Sequence, residues 1–108
     1  MIEHYDIDDI ISKMNNWYET FISKPNMAVG VLRLRADELD PQDPHLYDEI
    51  YYIIKGDGYI TIEDEVVDIK EGSIIFVPAY AKHKFHSKKE LIAIYVFAGE
   101  DKDVSEVK

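Results

Sequence analysis

The chain contains no cysteine, which removes disulfides, thiolate zinc sites, iron–sulfur clusters and thiol nucleophiles together. Any metal must therefore be held by nitrogen and oxygen donors. Positive charge is scarce: 12 lysines and arginines stand against 22 acidic residues, for a formal net charge of -10. A surface of that sign repels a phosphate backbone, so no nucleic-acid partner is expected. Long hydrophobic runs are missing too. The longest, residues 91–98, falls far below the roughly 20 residues that cross a bilayer, and no membrane partner is expected. The first residues include Glu3, His4, Tyr5 and Asp6 and offer no basic segment ahead of an apolar one. The sequence therefore predicts no secretion signal and a cytoplasmic protein.

What is present suits a packed fold, with 46% hydrophobic and 31% charged residues, a balance that excludes wholesale disorder. Residues 1–108 are read as one domain, because two cores would leave each part near the ~40 residues that rarely fold unaided. Residues 6–16 carry Ile7, Ile10, Ile11 and Met14 at helical spacing, with aspartates grouped at the start, which predicts one short amphipathic helix. Beyond it the pattern changes to β-rich runs at 17–22, 28–36, 45–54, 59–63, 66–69, 73–77, 82–86 and 91–97. Runs so short, divided by turn residues such as Pro25-Asn26 and Gly56-Asp57-Gly58, predict an all-β sandwich or barrel over about 17–98. Gly56-Asp57-Gly58 reads as a hairpin turn, since no helix follows to make it a phosphate cradle. The charged tail, 99–108, is given no function.

Three side chains carry the chemistry. Along a regular strand residues i, i+2 and i+4 share a face, so His45 and Glu49 are expected to point together into the barrel. A carboxylate on an inward face needs a partner, and a divalent cation supplies one. His83 opens a later strand, expected to lie beside the first, and completes a two-histidine, one-carboxylate set. That set suits non-haem iron, with manganese, nickel, zinc or copper also accommodated. One divalent ion is expected, with coordination positions left for water or a small-molecule ligand.

These residues also fall into a familiar spacing. His45, Glu49 and Gly56, then Gly72, Pro78 and His83, resemble the two motifs of the cupins. The resemblance extends over about residues 28–97, and is closest to single-domain cupins that share Asp40, Gln42, Pro44, His45, Asp48, Glu49, Tyr51 and Tyr52. It implies a cupin-type double-stranded β-helix, or jelly-roll, barrel with one short N-terminal helix. It also implies dioxygenase, isomerase or lyase chemistry on a small molecule, or a non-catalytic binding or sensing barrel. Small cupins of this kind often pair as homodimers through sheet edges or exchanged N-terminal strands, and the apolar content of 17–22 is compatible with that.

The chain departs from the usual motif where its first histidine falls on Asp43 and its last asparagine on Ser87. Strand parity favours Asp43 as fourth ligand, whereas the subgroup resemblance favours Gln42, which is the reading preferred here. Gln42 leaves the site formally at +1 and Asp43 would make it neutral. Tyr47 and Tyr51 share the inward parity and line a candidate pocket, although such residues in a barrel are more often core. Arg33 and Arg35 are read either as reaching into the barrel or as a surface pair. His86 and His4 are expected at the surface, and no general base is identified.

Overall fold

A computed structural model describes residues 1–99, so the tail beyond Gly99 lies outside the described residues. Helix α1 (Ile7–Lys13) has Asp8 and Asp9 in its first turn and Lys13 in its last, each sign matching the helix dipole. It stops short of the expected residue 16. Met14 turns to ψ 130°, Asn15 and Asn16 are poor helix formers, and the Asn16 side-chain oxygen accepts the Trp17 N–H at 3.0 Å. The Ile7, Ile10, Ile11 and Met14 stripe is only half-buried.

The strands that follow are β1 (Tyr18–Lys24), β2 (Met27–Leu34), β3 (Asp48–Lys55), β4 (Gly58–Ile62), β5 (Glu65–Ile69), β6 (Ile74–Val77), β7 (His83–Ser87) and β8 (Leu91–Ala98). They form a five-stranded sheet in the order β1-β2-β8-β3-β6 and a three-stranded sheet in the order β5-β4-β7. All the ladders are antiparallel. After β3 the chain crosses to the small sheet for β4 and β5, returns for β6, crosses for β7 and returns for β8. That alternation is the jelly roll.

It also corrects the reading of Gly56-Asp57-Gly58. β3 and β4 do not pair with each other, so this segment carries the chain between sheets and closes no hairpin. The crossing needs close backbone approach: a Cβ on Gly58 would lie 2.0 Å from the His86 carbonyl oxygen.

The alternation of β3 is clean, with Glu49, Tyr51 and Ile53 buried and Asp48, Ile50 and Tyr52 exposed. Inward residues of the two sheets meet in one core, including Leu32, Tyr51, Ile53, Ile60, Phe85, Leu91, Tyr95 and Phe97. Tyr95 keeps its hydroxyl satisfied by pairing with the Thr20 hydroxyl at 2.5 Å, as a buried phenol must. Gly30 makes the room, since a Cβ there would sit 2.1 Å from the Tyr95 oxygen and 2.5 Å from the Glu19 carbonyl oxygen. The second contact is backbone and cannot swing away. Replacing Gly30 with alanine is therefore expected to lower the unfolding free energy by about 1–3 kcal/mol, read by urea denaturation. An unchanged midpoint would show that strand β1 can move outward at no cost.

Candidate metal centre

Glu49 lies at the start of β3 in the large sheet and His83 at the start of β7 in the small one. The two side chains meet across the interior, with His83 Nε2 3.4 Å from Glu49 Oε1 and each side chain 1% exposed. β7 thus faces β3 from the opposite sheet, and the expectation that it lies beside β3 is corrected. His45 is not on a strand either. It precedes β3 by a bend at Leu46 and Tyr47, so pleat parity does not govern it. Its Nε2 is nevertheless 3.9 Å from Glu49 Oε1. The donor atoms of His45, Glu49 and His83 all lie within 4.8 Å of one another.

Two backbone contacts hold the loop before β3 against the loop before β7. The Tyr80 N–H donates to the His45 carbonyl at 2.6 Å, and the Ala79 N–H donates to Asp48 Oδ1 at 3.0 Å. Tyr80 itself adopts φ 69°, a left-handed conformation uncommon outside glycine. Phe97 walls the site on another side, its ring 4.9 Å from that of His45 in an edge-on arrangement.

Hydrogen-bond arithmetic describes the chemistry of the cluster. His83 Nδ1 is 3.0 Å from the Ala81 carbonyl, an acceptor only, so Nδ1 carries a proton, and in the neutral tautomer that this selects, the form that binds a metal, the Nε2 lone pair faces inward. That lone pair is 3.1 Å from the Tyr51 hydroxyl. The phenol has one proton, donated to Gln42 Oε1 at 2.7 Å, and burial, followed by the charge of Glu49, pushes its pKa well above the usual tyrosine range. Gln42 Oε1 is 3.4 Å from His45 Nε2. Around one point, then, stand a carboxylate oxygen, an amide oxygen, a phenol oxygen and two imidazole nitrogens. Such a gathering of acceptor atoms is a set that could hold a cation.

The remaining predicted residues sort by burial. Gln42 is buried at 2% exposure, while Asp43 is exposed and lies in an irregular stretch where strand parity does not apply. Tyr51 sits inside the cluster. Tyr47 is half-buried with its ring 6.3 Å from Phe97, at the edge of the site. Arg33 lies outside the barrel, its Nε 3.7 Å from Glu90, and Arg35 is exposed. His86 stacks on Tyr59 at 4.6 Å on the outer face of the small sheet, and His4 is 3.4 Å from Asp6 at the surface. Sequence reasoning names Asp40 within the shared stretch but gives it no role; it is 7% exposed and accepts the Gln42 side-chain N–H at 2.8 Å. Its spacing two residues before Gln42 was the available signal.

The comparisons with known proteins agree with this fold. A family model described as a cupin domain matches residues 30–99. The chain belongs to the cupins. An uncharacterised protein of Streptomyces coelicolor is 38% identical to this cupin over 79 residues, spanning 73% of this chain and 75% of that one. A cupin superfamily protein of Desulfitobacterium hafniense superposes with a TM-score of 0.69 at 17% identity, covering 77% of this chain and 76% of that one. Salicylate 1,2-dioxygenase from Pseudaminobacter salicylatoxidans gives a TM-score of 0.69 at 12% identity over 75% of this cupin and 25% of the larger protein. At these two identities the likeness is one of fold.

Tyr95, beneath Phe97 at a ring separation of 5.6 Å, yields a pH prediction. Burial raises its pKa above the ordinary 10.0, a shift partly opposed by the Thr20 hydrogen bond and reinforced by the charge of Glu49. The folded phenol keeps its proton where the unfolded chain has released it. Its contribution to stability is therefore complete below the unfolded value and is lost as pH rises from there through the folded value. Urea unfolding at a series of pH values from about 8 to 11 should show a shallower decline for Tyr95→Phe than for the wild type. An identical slope would mean that Tyr95 titrates normally.

Proposed function

We propose that this cupin holds one divalent metal ion through His45, Glu49, His83 and Gln42, and that it acts as a metal-dependent enzyme on a small molecule. The supporting observation is the buried meeting of acceptor atoms, in which Glu49 and His83 are each 1% exposed and three side chains compete for the single proton of Tyr51. Iron, manganese, nickel, zinc and copper all suit a set of two imidazoles, a carboxylate and an amide oxygen. With Gln42 rather than Asp43 as fourth donor the site carries a formal +1, which favours an anionic ligand.

A bound ion would supply Lewis acidity or an oxygen-binding position. The chain's own residues orient and shield that position. Ala81 fixes the His83 tautomer through Nδ1, Tyr51 holds a proton on the Gln42 side, and Phe97 packs its ring edge-on against that of His45. The choice among dioxygenase, isomerase and lyase chemistry is open to assay with small anionic and aromatic compounds. The salicylate dioxygenase fold relative makes ring-bearing carboxylates a sensible first panel. A non-catalytic sensing barrel is the alternative, and it is distinguished by ligand binding without turnover.

The test of the metal site uses untagged protein and the five ions in turn, followed by elemental analysis and calorimetry. Tight binding of at least one ion is expected, weakened by about 100-fold or more in His83→Ala and unchanged in His86→Ala. No binding of any of the five sinks the reading.

The homodimer and cytoplasmic location expected from the sequence belong to the same proposal. The outer face of the large sheet supports the dimer, with Ile50 opposite Phe76 and Tyr52 opposite Ile74 at 45%, 57%, 46% and 71% exposure. β8 extends this apolar face through Ile94 and Val96. A contiguous patch of this kind is unusual on a monomer. Sedimentation should show a dimer that Phe76→Lys converts to monomer, and a monomeric wild type at about 50 μM would refute it.

A further inference from the structure

We infer that Asp40 is a positioning residue, whose carboxylate sets the amide of Gln42 with its oxygen inward and so decides whether the fourth donor meets a cation with an acceptor or with an N–H. The inference rests on the proposed metal site but concerns a residue outside the donor set.

An amide side chain is nearly symmetric in shape, and its orientation follows from the groups on either side. On one side of Gln42 lies Asp40, whose carboxylate only accepts. Asp40 Oδ1 takes the Gln42 backbone N–H at 3.0 Å, and Oδ2 takes the Gln42 Nε2–H at 2.8 Å and the Phe85 backbone N–H at 2.8 Å. Three donors thus converge on one buried carboxylate, which compensates its loss of water. With Nε2 committed there, Oε1 must face the opposite way. There it accepts the Tyr51 hydroxyl at 2.7 Å and stands 3.4 Å from His45 Nε2.

The segment bearing these two residues has no strand of its own. It is clasped to β7 instead, by the Phe85 N–H just described and by the Lys84 ammonium, which donates to the Asp40 carbonyl at 2.9 Å and also to the Gln42 carbonyl. β7 begins with His83. The same strand therefore supplies one donor directly and fixes the orientation of another through Asp40.

An exchange of chemistry between the two positions isolates this role. Asp40→Asn presents an N–H in place of one carboxylate oxygen; with that N–H on the Oδ2 side, where it leaves the Phe85 N–H without its acceptor, the Gln42 amide is expected to invert so that its oxygen accepts from Asn and its NH2 faces the cluster. Metal affinity should fall by about 10- to 100-fold. Gln42→Glu alone sets two carboxylates against each other and should also weaken binding. The double variant Asp40→Asn with Gln42→Glu restores a donor–acceptor match on one side and an oxygen toward the cation on the other, and should recover most of the loss at unchanged total charge.

A second readout needs no metal. In the metal-free wild type, the Gln42 side-chain NH2 should give a nuclear Overhauser contact to the Phe85 amide proton, replaced in Asp40→Asn by contacts to the Tyr51 ring. Wild-type affinity in Asp40→Asn, a double variant no tighter than the weaker single one, or an unmoved Overhauser contact would each overturn the inference. If the wild type binds none of the ions, the metal-site proposal falls, and the Overhauser measurement still decides how Gln42 is oriented and by what. Should Asp40→Asn fail to fold, the wild-type contact and the double variant carry the same decision.

Discussion

The contact between Glu49 and His83 is the constraint around which the rest is arranged. One residue comes from each sheet, both are 1% exposed, and their facing atoms lie 3.4 Å apart. A carboxylate withdrawn from water costs several kcal/mol unless it is compensated. In this interior the compensation cannot come from solvent. In the proposed site it would come from the cation held by the groups that the two sheets and their loops deliver to the same point.

The jelly-roll path makes that delivery possible. Because the chain changes sheets between β3 and β4, between β5 and β6, and on either side of β7, the starts of β3 and β7 oppose each other although 33 residues of sequence lie between Glu49 and His83. The loops leading into these strands are then joined through Tyr80 to His45 and Ala79 to Asp48. The cross-sheet contact and the loop contacts are mutually dependent. Displacing either loop by an ångström would move an imidazole out of reach, which is why a glutamine amide and a histidine tautomer are each held by a dedicated acceptor, Asp40 Oδ2 and the Ala81 carbonyl.

The parts legible in the sequence were those written in local spacing. Eight β-rich runs became eight strands among the described residues, with ends shifted by at most three residues, because alternation and turn residues act over neighbours. The set of His45, Glu49 and His83 was legible as spacing, but the argument for it was partly wrong. It placed His45 on a regular strand and β7 beside β3, whereas a bend brings in His45 and the opposite sheet brings in His83. Sheet membership is a long-range property that no local pattern encodes. The helix ended early for a local reason, the Asn15-Asn16 pair, which periodicity alone underweights. Asp40 was named in the shared stretch without a role because its contacts with Phe85 and Lys84 join residues more than 40 positions away.

The same arrangement limits how anything from outside can reach the cluster. Glu49 and His83 are sealed, while the His45 side chain keeps 12% of its surface exposed, and Leu46 and Tyr80 in the neighbouring loops are 53% and 62% exposed. Those two residues belong to the loops whose mutual contact sets the position of His45. A ligand that presses on the rim therefore presses on the segment carrying one imidazole, whereas Glu49 and His83 are anchored in sheets and do not yield with it. Any response of the site to an incoming molecule should be concentrated in His45, with the two sealed groups serving as the fixed frame.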